Sequence, residues 1–342
     1  MKLYKRFTVM FLLLSLAGTA FAQITAEWIP DSGSKPPGIS ALEDAITNEL
    51  KDFDPAPKKF MKGFADASVF ASHGATQRAY GDYKKFAITA GAMVGARLPS
   101  SIGSIVNDIK DFGDKLEKEN GDMALGVNAQ AALQFGLNSS FLVDGLYLGL
   151  RLGYVNITSY DDISIKIFHI GPVAHYRLLK GIDIGVFKWR GITVGSGFLY
   201  QNTTLNASYL LDDAVSAGVF VANNPKLTFD MDITTYTIPL ELNTSIQLLW
   251  FLNLDAGVGM DVAFGSNTTT MGIKSDVYAS GTRLPGKLSI KGGGSEAPTI
   301  INPKVMANLG FKFGPVILDV PVTYYISDNM GLNVGVTLGF VL

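Results

Sequence analysis

The amino-acid sequence predicts an all-β transmembrane protein, an antiparallel outer-membrane β-barrel of about ten strands within a range of 8–12. At the C-terminus, residues 330–342 carry apolar side chains at every second position, with mostly small or polar residues between them. This period of two indicates a strand with one apolar face. Several earlier segments repeat the pattern at a length that fits a bilayer. No stretch after the N-terminus reaches the ~20 apolar residues of a membrane helix, so strands must do any spanning.

Residues 1–22 are typical of a secretory signal peptide. Three basic residues, an apolar run over 7–17 and an Ala-Phe-Ala site at 20–22 come before Gln23. We expect cleavage there and export to the bacterial outer membrane. Without this segment the chain has 25 basic and 30 acidic side chains, a net charge of −5, which does not favour nucleic-acid binding. The sequence has no cysteine, which excludes disulfides, thiol chemistry and lipid attachment.

Residues 23–82 form a separate N-terminal segment that is either periplasmic or a plug in the barrel lumen. Residues 30–38 are rich in Pro, Gly and Ser and indicate a flexible lead-in. Apolar residues over 39–50 have helical spacing, and a second helical piece is predicted over 60–70. The sequence does not decide between a periplasmic location of this segment and a location inside the lumen.

The barrel is predicted to occupy residues 83–342. Ten segments alternate apolar residues with small or polar ones: 86–98, 123–135, 146–154, 168–178, 192–204, 235–248, 252–264, 304–313, 316–325 and 330–342. The longest links, 99–121, 211–225 and 267–298, all follow odd-numbered strands, so they emerge at one end. Long outer loops, short periplasmic turns and an even strand number are typical of outer-membrane barrels.

Two of the long links contain local patterns. Apolar residues over 102–116 follow Pro99 and Ser100 with helical spacing, which predicts an amphipathic helix in the first long loop. Its polar face is acidic as well as basic, so a helix packed at the barrel mouth is favoured over one on a membrane surface. The run Gly292 to Ser295 indicates a flexible loop.

The chain resembles bacterial outer-membrane β-barrel proteins over residues 83–342. Its C-terminal segment 334–342, Val-Gly-Val-Thr-Leu-Gly-Phe-Val-Leu, is similar to the signal read by the barrel-assembly machinery, although it ends in Leu rather than an aromatic residue. Residues 64–70, Phe-Ala-Asp-Ala-Ser-Val-Phe, are similar to those of spirochaetal outer-membrane proteins. The resemblance implies a lipid bilayer and the assembly machinery as partners.

No set of residues indicates catalysis, and the sequence predicts a protein that is not an enzyme and has no cofactor or metal. His169 and His175 share a face, but six residues along a strand separate them by ~20 Å, too far to share a metal ion. The pairs Asp161-Asp162 and Asp212-Asp213 lie in predicted loops, where paired acids are usually solvated. No phosphate-binding or nucleophile motif is present.

The inward faces carry charged residues that are candidates for lining the lumen. They are Arg97, Arg151, Arg177, Glu241, Asp255, Asp261, Lys304, Lys312 and Asp319. One interpretation is a polar path that selects solutes. The other, which we favour, is a structural ion-pair network that fills a narrow lumen.

The first function hypothesis is a narrow pore or transporter for small solutes, including small apolar molecules. The alternative is a surface-exposed structural or adhesive outer-membrane protein without transport activity. A channel requires a continuous lumen, whereas an adhesive protein requires only folded loops.

Overall fold

The structure is a computed structural model of the whole chain. It describes residues 23–31, 35–36, 39–40, 43, 56–72, 86–98, 124–137, 145–158, 163–210, 215–217, 220–326 and 330–341. The expected signal peptide and the helix expected over 102–116 lie outside the described residues. Of the helix expected over 39–50, the structure describes only Ile39, Ser40 and Glu43, all helical.

The described chain is mostly strand, with one long helix. The elements are β1 (Gln23–Pro30), α1 (Ala56–Ala71), β2 (Phe86–Leu98), β3 (Ala124–Leu137), β4 (Leu146–Thr158), β5 (Ile163–Ile184), β6 (Phe187–Gly197), β7 (Leu199–Leu210), β8 (Val215–Ala217), β9 (Phe220–Leu248), β10 (Leu252–Ala279), β11 (Thr282–Glu296), β12 (Ile301–Phe313), β13 (Val316–Tyr325) and β14 (Met330–Val341). None of the helices described is long and apolar enough to cross a membrane.

Antiparallel pairing closes the strands into a barrel. Within the described residues, the circuit runs through ten spans: β2, β3, β4, β5, β6 continued by β7, β9, β10, β12, β13 and β14. The last strand returns to the first, with Val334 opposite Val94. Closure leaves the spanning strands without an open edge, so each can satisfy its backbone groups inside the bilayer. The expected all-β barrel is therefore confirmed.

The two faces of the barrel have opposite polarity. Apolar side chains point outward and remain exposed at the middle of the strands, among them Val94, Leu152, Leu240, Val258, Leu309 and Val336. Polar side chains point inward and are buried, among them Arg151, His169, Thr237, Asn253, Lys304 and Asn333. A water-soluble protein has the reverse arrangement, so the outward face is a lipid-facing surface.

Aromatic side chains mark both edges of the lipid-facing surface. At the end with the long links, Tyr200 lies between Phe168 and Tyr236, with ring centroids 6.2 and 5.3 Å away. At the end with the short turns, Phe251 contacts Trp250 and Phe313, at 6.1 and 6.2 Å. Paired aromatic girdles are typical of barrels that span the outer membrane.

Three strands extend beyond the barrel at the end with the long links. β9 and β10 stay paired out to Phe220 and Ala279, where the sequence predicted long loops, and β11 pairs with β10. The expectation of a flexible loop at residues 292–295 is wrong, because these residues lie within β11. The alternation is interrupted here, because polar Asn267 and Thr269 of β10 are buried in place of apolar residues and residues 292–294 of β11 are glycines.

The N-terminal segment also forms a strand that the sequence did not predict. β1 pairs with β11 over its whole length, with Trp28 opposite Leu288. Trp28, Ile39, Val277 and Leu288 form a buried apolar cluster on one face of this four-stranded extension. The strand does alternate, with Ile24, Ala26 and Trp28 against Thr25 and Glu27, but so short a run is weak evidence without its pairing with β11.

Candidate functional site

The candidate site is the barrel lumen, which is arranged in three layers from the long-link end to the short-turn end. The helix α1 fills the first layer, charged and amide side chains fill the second, and an apolar cluster of Ala87, Tyr147, Ile317 and Val341 lies at the third. The inward-facing residues of β2, β9, β10 and β14 therefore contact either the helix or one another.

Helix α1 is buried around most of its circumference because the barrel wall encloses it. Pro57 stands in its first turn, where a missing N–H is tolerated. Phe60, Met61 and Ala65 of the helix belong to an apolar cluster at the long-link end. In this cluster they pack against Phe229 and Met231 of β9. At the other end of the helix, Val69 and Phe70 pack against Ala263 and Tyr325.

Amide side chains of the wall bind the main chain of the helix. Asn267 of β10 donates to the carbonyl oxygen of Met61 at 2.8 Å. Asn333 of β14 donates to the carbonyl oxygen of Phe70 at 2.6 Å. Gln201 of β7 donates to the hydroxyl of Ser68 at 2.8 Å and to its carbonyl oxygen at 3.3 Å. Three different strands thus hold the helix at three points along its length.

Asp66 is the buried charge of the helix. Its carboxylate accepts hydrogen bonds from the backbone N–H of Thr299 at 2.6 Å and from the Thr299 hydroxyl at 3.2 Å. Arg97 of β2 lies 3.7 Å from it and donates to the carbonyl oxygen of Lys59 at 3.1 Å. Burial raises the pKa of the Asp66 carboxyl, while the bonds from Thr299 and the charge of Arg97 act in the opposite direction.

Two glycines of the wall give the helix its room. A Cβ atom at Gly95 of β2 would lie 2.6 Å from the backbone nitrogen of Ala71 and 2.8 Å from the carbonyl oxygen of Ala67. A Cβ atom at Gly331 of β14 would overlap the ring of Phe70. Glycine at these positions lets the strands approach the helix closely.

The second layer contains a buried charge cluster. Lys304 of β12 donates to Glu241 of β9 and to Asp261 of β10, each at 2.7 Å. The second oxygen of Asp261 accepts a hydrogen bond from the hydroxyl of Tyr325 at 3.0 Å. The lysine is fully buried, so its charge is stable there only because two carboxylates surround it.

An amide joins two further acids nearer the short-turn end. Asn308 of β12 donates to Asp255 of β10 at 2.6 Å and lies 3.4 Å from Asp319 of β13. Five of the nine candidate lumen residues, Glu241, Asp255, Asp261, Lys304 and Asp319, thus lie on one wall formed by β9, β10, β12 and β13.

The remaining candidates lie elsewhere in the barrel. Arg97 reaches the helix at the long-link end, as described above. Arg151 of β4 is buried on the inward face. The guanidinium of Arg177 on β5 lies 5.9 Å from the ring centroid of Tyr147. Lys312 is partly exposed near the short-turn end, where its backbone N–H donates to Phe251.

Sequence reasoning missed the residues that join the helix to the wall. Gln201, Asn267 and Asn333 give no local signal, since polar residues on an inward face are expected everywhere in a barrel, and Asp66 gives none because it is a single acid on a helix. His169 and His175 are both buried on the inward face of β5. Within the part of the chain that the structure describes, no three His, Asp or Glu side chains are grouped to hold a metal ion.

Solved structures with a similar outline are bacterial barrels. The translocator domain of the autotransporter NalP from Neisseria meningitidis is 12% identical, with a TM-score of 0.36, and the match covers 89% of this chain and 97% of that one. The toluene transporter TbuX from Ralstonia pickettii is 10% identical, with a TM-score of 0.28 and coverage of 82% and 99%. A FadL homologue from Pseudomonas aeruginosa is 8% identical, with a TM-score of 0.27 and coverage of 76% and 90%. These similarities carry no functional argument.

A comparison of the amino-acid sequence with family models identifies the protein family of this chain. No curated protein matches the chain. A family model described as Lsa36-like matches residues 20–340, which is almost the whole chain. The resemblance to bacterial outer-membrane barrel proteins, and to spirochaetal ones, is confirmed. The chain therefore belongs to the Lsa36-like family and is a β-barrel of the bacterial outer membrane.

Proposed function

We propose that this protein is a plugged outer-membrane pore for small polar solutes, in which α1 must shift before a solute can pass. In this proposal α1 is the lumen plug, and the N-terminal segment 23–82 to which it belongs is not a periplasmic domain. The solutes are polar because the inward face between the two ends is lined by amides, hydroxyls and charged groups rather than by apolar side chains.

One observation carries the proposal: neutral amide side chains hold the helix by its main chain. Asn267, Gln201 and Asn333 each donate to a carbonyl oxygen of α1. A single bond of this kind contributes only about 0.5–1.5 kcal/mol, because water can replace either partner. When a plug held in this way leaves its site, one buried pair of opposite charges, Asp66 and Arg97, must separate.

The charged residues of the lumen have two roles in this proposal. Glu241, Asp261 and Lys304 form the structural network that closes one wall. Arg151 and Arg177 of β4 and β5 lie on strands across the barrel from that wall, and together the two sides line the path with opposite charge. Transport through such a path requires no catalytic group, and we propose that the protein is not an enzyme.

The two terminal segments of the chain concern its export and its assembly into the membrane. We propose that residues 1–22 are removed as a signal peptide and that β14 is read by the barrel-assembly machinery. The outward face of β14 supports this second point, since Val336, Leu338 and Phe340 remain exposed on its lipid-facing side.

Solute entry into liposomes tests the pore. The variant Asn267→Ala/Asn333→Ala removes two bonds to the helix and leaves the barrel strands paired. We expect liposomes containing it to swell faster in a small sugar such as arabinose than liposomes containing the unaltered protein. The variant Asn156→Ala, on the exposed end of β4, is the matched control. Equal and negligible swelling for all three proteins would contradict the proposal.

A second candidate function rests on the extension of β9, β10, β11 and β1. Its outer face carries an open cleft of about 420 Å³, lined in part by Thr228, Asp230, Lys274 and Lys291. Such a surface supports binding of an extracellular molecule without transport. Binding that survives in a variant with no solute entry would favour this candidate.

A further inference from the structure

We infer that the barrel carries its own N-terminal segment through the outer membrane, so that β1 is displayed on the outside of the cell. This goes beyond the proposed pore, because it concerns where the segment ends up rather than what passes the lumen. Three positions along the chain carry the inference: β1, the end of α1 and the start of β2.

The strand β1 lies at the end of the barrel with the long links. It pairs with β11, and β11 pairs with the part of β10 that continues beyond the barrel, from Asn267 to Ala279. Trp28 is buried against Leu288 and Val277 of this extension. The strand is therefore part of the extension and lies on its side of the membrane.

The helix α1 lies at the same end. Its wall contacts include Arg97, near the end of β2, Asn333, near the start of β14, and Tyr325, the last residue of β13. All three strand ends adjoin links at the long-link end. Ser72, the last described residue after the helix, is buried there and bonds to Ser68 and Val69.

The first barrel strand begins at the opposite end. Ala87 of β2 lies opposite Val341, the last residue of β14, and both belong to the apolar cluster at the short-turn end. Residue Gly95, which contacts the end of the helix, lies nine residues beyond Phe86, the first residue of β2. At about 3.3 Å per residue, this is a distance of about 30 Å along the strand.

The chain must therefore cross the barrel between Ser72 and Phe86. The intervening residues, 73–85, can span about 45 Å when extended, which is long enough. The described elements before this crossing, β1 and α1, lie on the side of the long links, and Phe86 lies on the other side.

The side of the long links is the outside of the cell. Outer-membrane barrels have short periplasmic turns and longer extracellular loops. The described turns that join one barrel strand to the next, at 185–186, 249–251 and 314–315, lie at the end where β2 begins, whereas the turn at 280–281 lies at the tip of the extension. The N-terminal strand is thus an external element, whereas the first barrel strand begins on the periplasmic side.

Single cysteine variants test this topology in the full-length protein, because the natural sequence has no cysteine. Glu27→Cys labels β1, where the side chain is exposed. Thr282→Cys, exposed at the start of β11, is the control for the long-link end. Asp183→Cys, exposed near the turn between β5 and β6, is the control for the short-turn end. A maleimide that cannot cross membranes is applied to intact cells and to cells with an opened outer membrane.

We expect the Glu27→Cys and Thr282→Cys variants to be labelled in intact cells, and the Asp183→Cys variant only after the membrane is opened. Labelling of the Glu27→Cys variant only after opening would overturn the inference. The measurement does not depend on conductance, so its failure is distinct from a failure of the proposed pore.

A cross-link keeps the test decisive if labelling is slow. Ile29 of β1 and Lys287 of β11 are opposite each other in the pairing. We expect the Ile29→Cys/Lys287→Cys variant to form a disulfide in cells whose barrel is folded, as judged by its heat-dependent migration in gels. A folded barrel without this cross-link would overturn the placement of β1 on the extension.

Discussion

The ring of Tyr325 stacks on the ring of Phe70, with centroids 4.1 Å apart and planes inclined by 22°. The same tyrosine donates its hydroxyl to Asp261, which also binds Lys304. One side chain of the wall thus contacts both the helix in the lumen and the charge cluster below it. A shift of the helix at Phe70 is therefore coupled to the position of Tyr325, and through it to the cluster.

Removal of the Phe70 ring is expected to weaken the docking of the helix. Replacing a buried phenylalanine by alanine typically costs about 3–5 kcal/mol. We expect Phe70→Ala to raise the frequency of open events in planar bilayers while the barrel remains folded. Phe313→Ala, which removes an exposed ring on the outside of the barrel, is the matched control. Identical traces for Phe70→Ala and the control would contradict the role of this contact.

A larger residue at Gly95 is expected to displace the end of the helix. A Cβ atom there meets the backbone of Ala67 and Ala71, which cannot move away unless the helix does. In the Gly95→Val variant we expect faster tryptic cleavage after Lys62, measured on the refolded protein. Ala92→Val, on the outward face of the same strand, should leave the cleavage rate unchanged. Equal protection in both variants would show that the helix does not lie against Gly95.

Removal of Lys304 is expected to destabilise the barrel strongly. Lys304→Met leaves the buried carboxylates of Glu241 and Asp261 without their cation, and breaking a buried ion pair in this way costs about 3–5 kcal/mol. Urea unfolding of the refolded protein measures the loss. Converting both acids to amides in the same variant, Glu241→Gln/Asp261→Asn/Lys304→Met, should recover part of the stability. The account of the cluster fails if the Lys304→Met variant has the same free energy of unfolding as the unaltered protein.

An arginine on the lipid-facing surface is expected to oppose membrane insertion. Val258 lies near the middle of β10 and is 53% exposed on the outward face. An arginine at the bilayer midplane costs about 2–4 kcal/mol in such barrels. Val258→Arg should lower the free energy of unfolding in lipid vesicles by this amount, whereas Ser295→Arg on the extension should have little effect. Similar values for the two variants would mean that the assigned faces are wrong.

The sequence predicts the barrel well where lipid enforces a pattern. Residues 330–342 and the other membrane-spanning segments alternate because one face meets hydrocarbon and the other meets the lumen. Beyond the lipid-facing surface this constraint ends. Residues 265–270 of β10 and 292–295 of β11 contain no apolar side chain, so they carry no apolar period that distinguishes a strand from a loop.

The contacts inside the lumen are less predictable than the strands. The sequence places Glu241, Asp261 and Lys304 on inward faces, but which of them meet depends on the register between β9, β10 and β12. The helix at residues 60–70 is expected from its spacing, yet its position depends on Gly95 and Gly331, which look like ordinary small residues of a strand. Local propensity cannot reveal such close approaches between segments distant in the sequence.

The single-channel conductance of the refolded protein with and without residues 24–80 tests the plugged lumen most directly. The deletion removes β1 and α1 but none of the strands that close the barrel, so the barrel should still fold and insert. We predict that the full-length protein is closed for most of the recording and that the shortened protein conducts continuously. A shortened protein that is folded and inserted but has the same low conductance as the full-length protein would contradict the account.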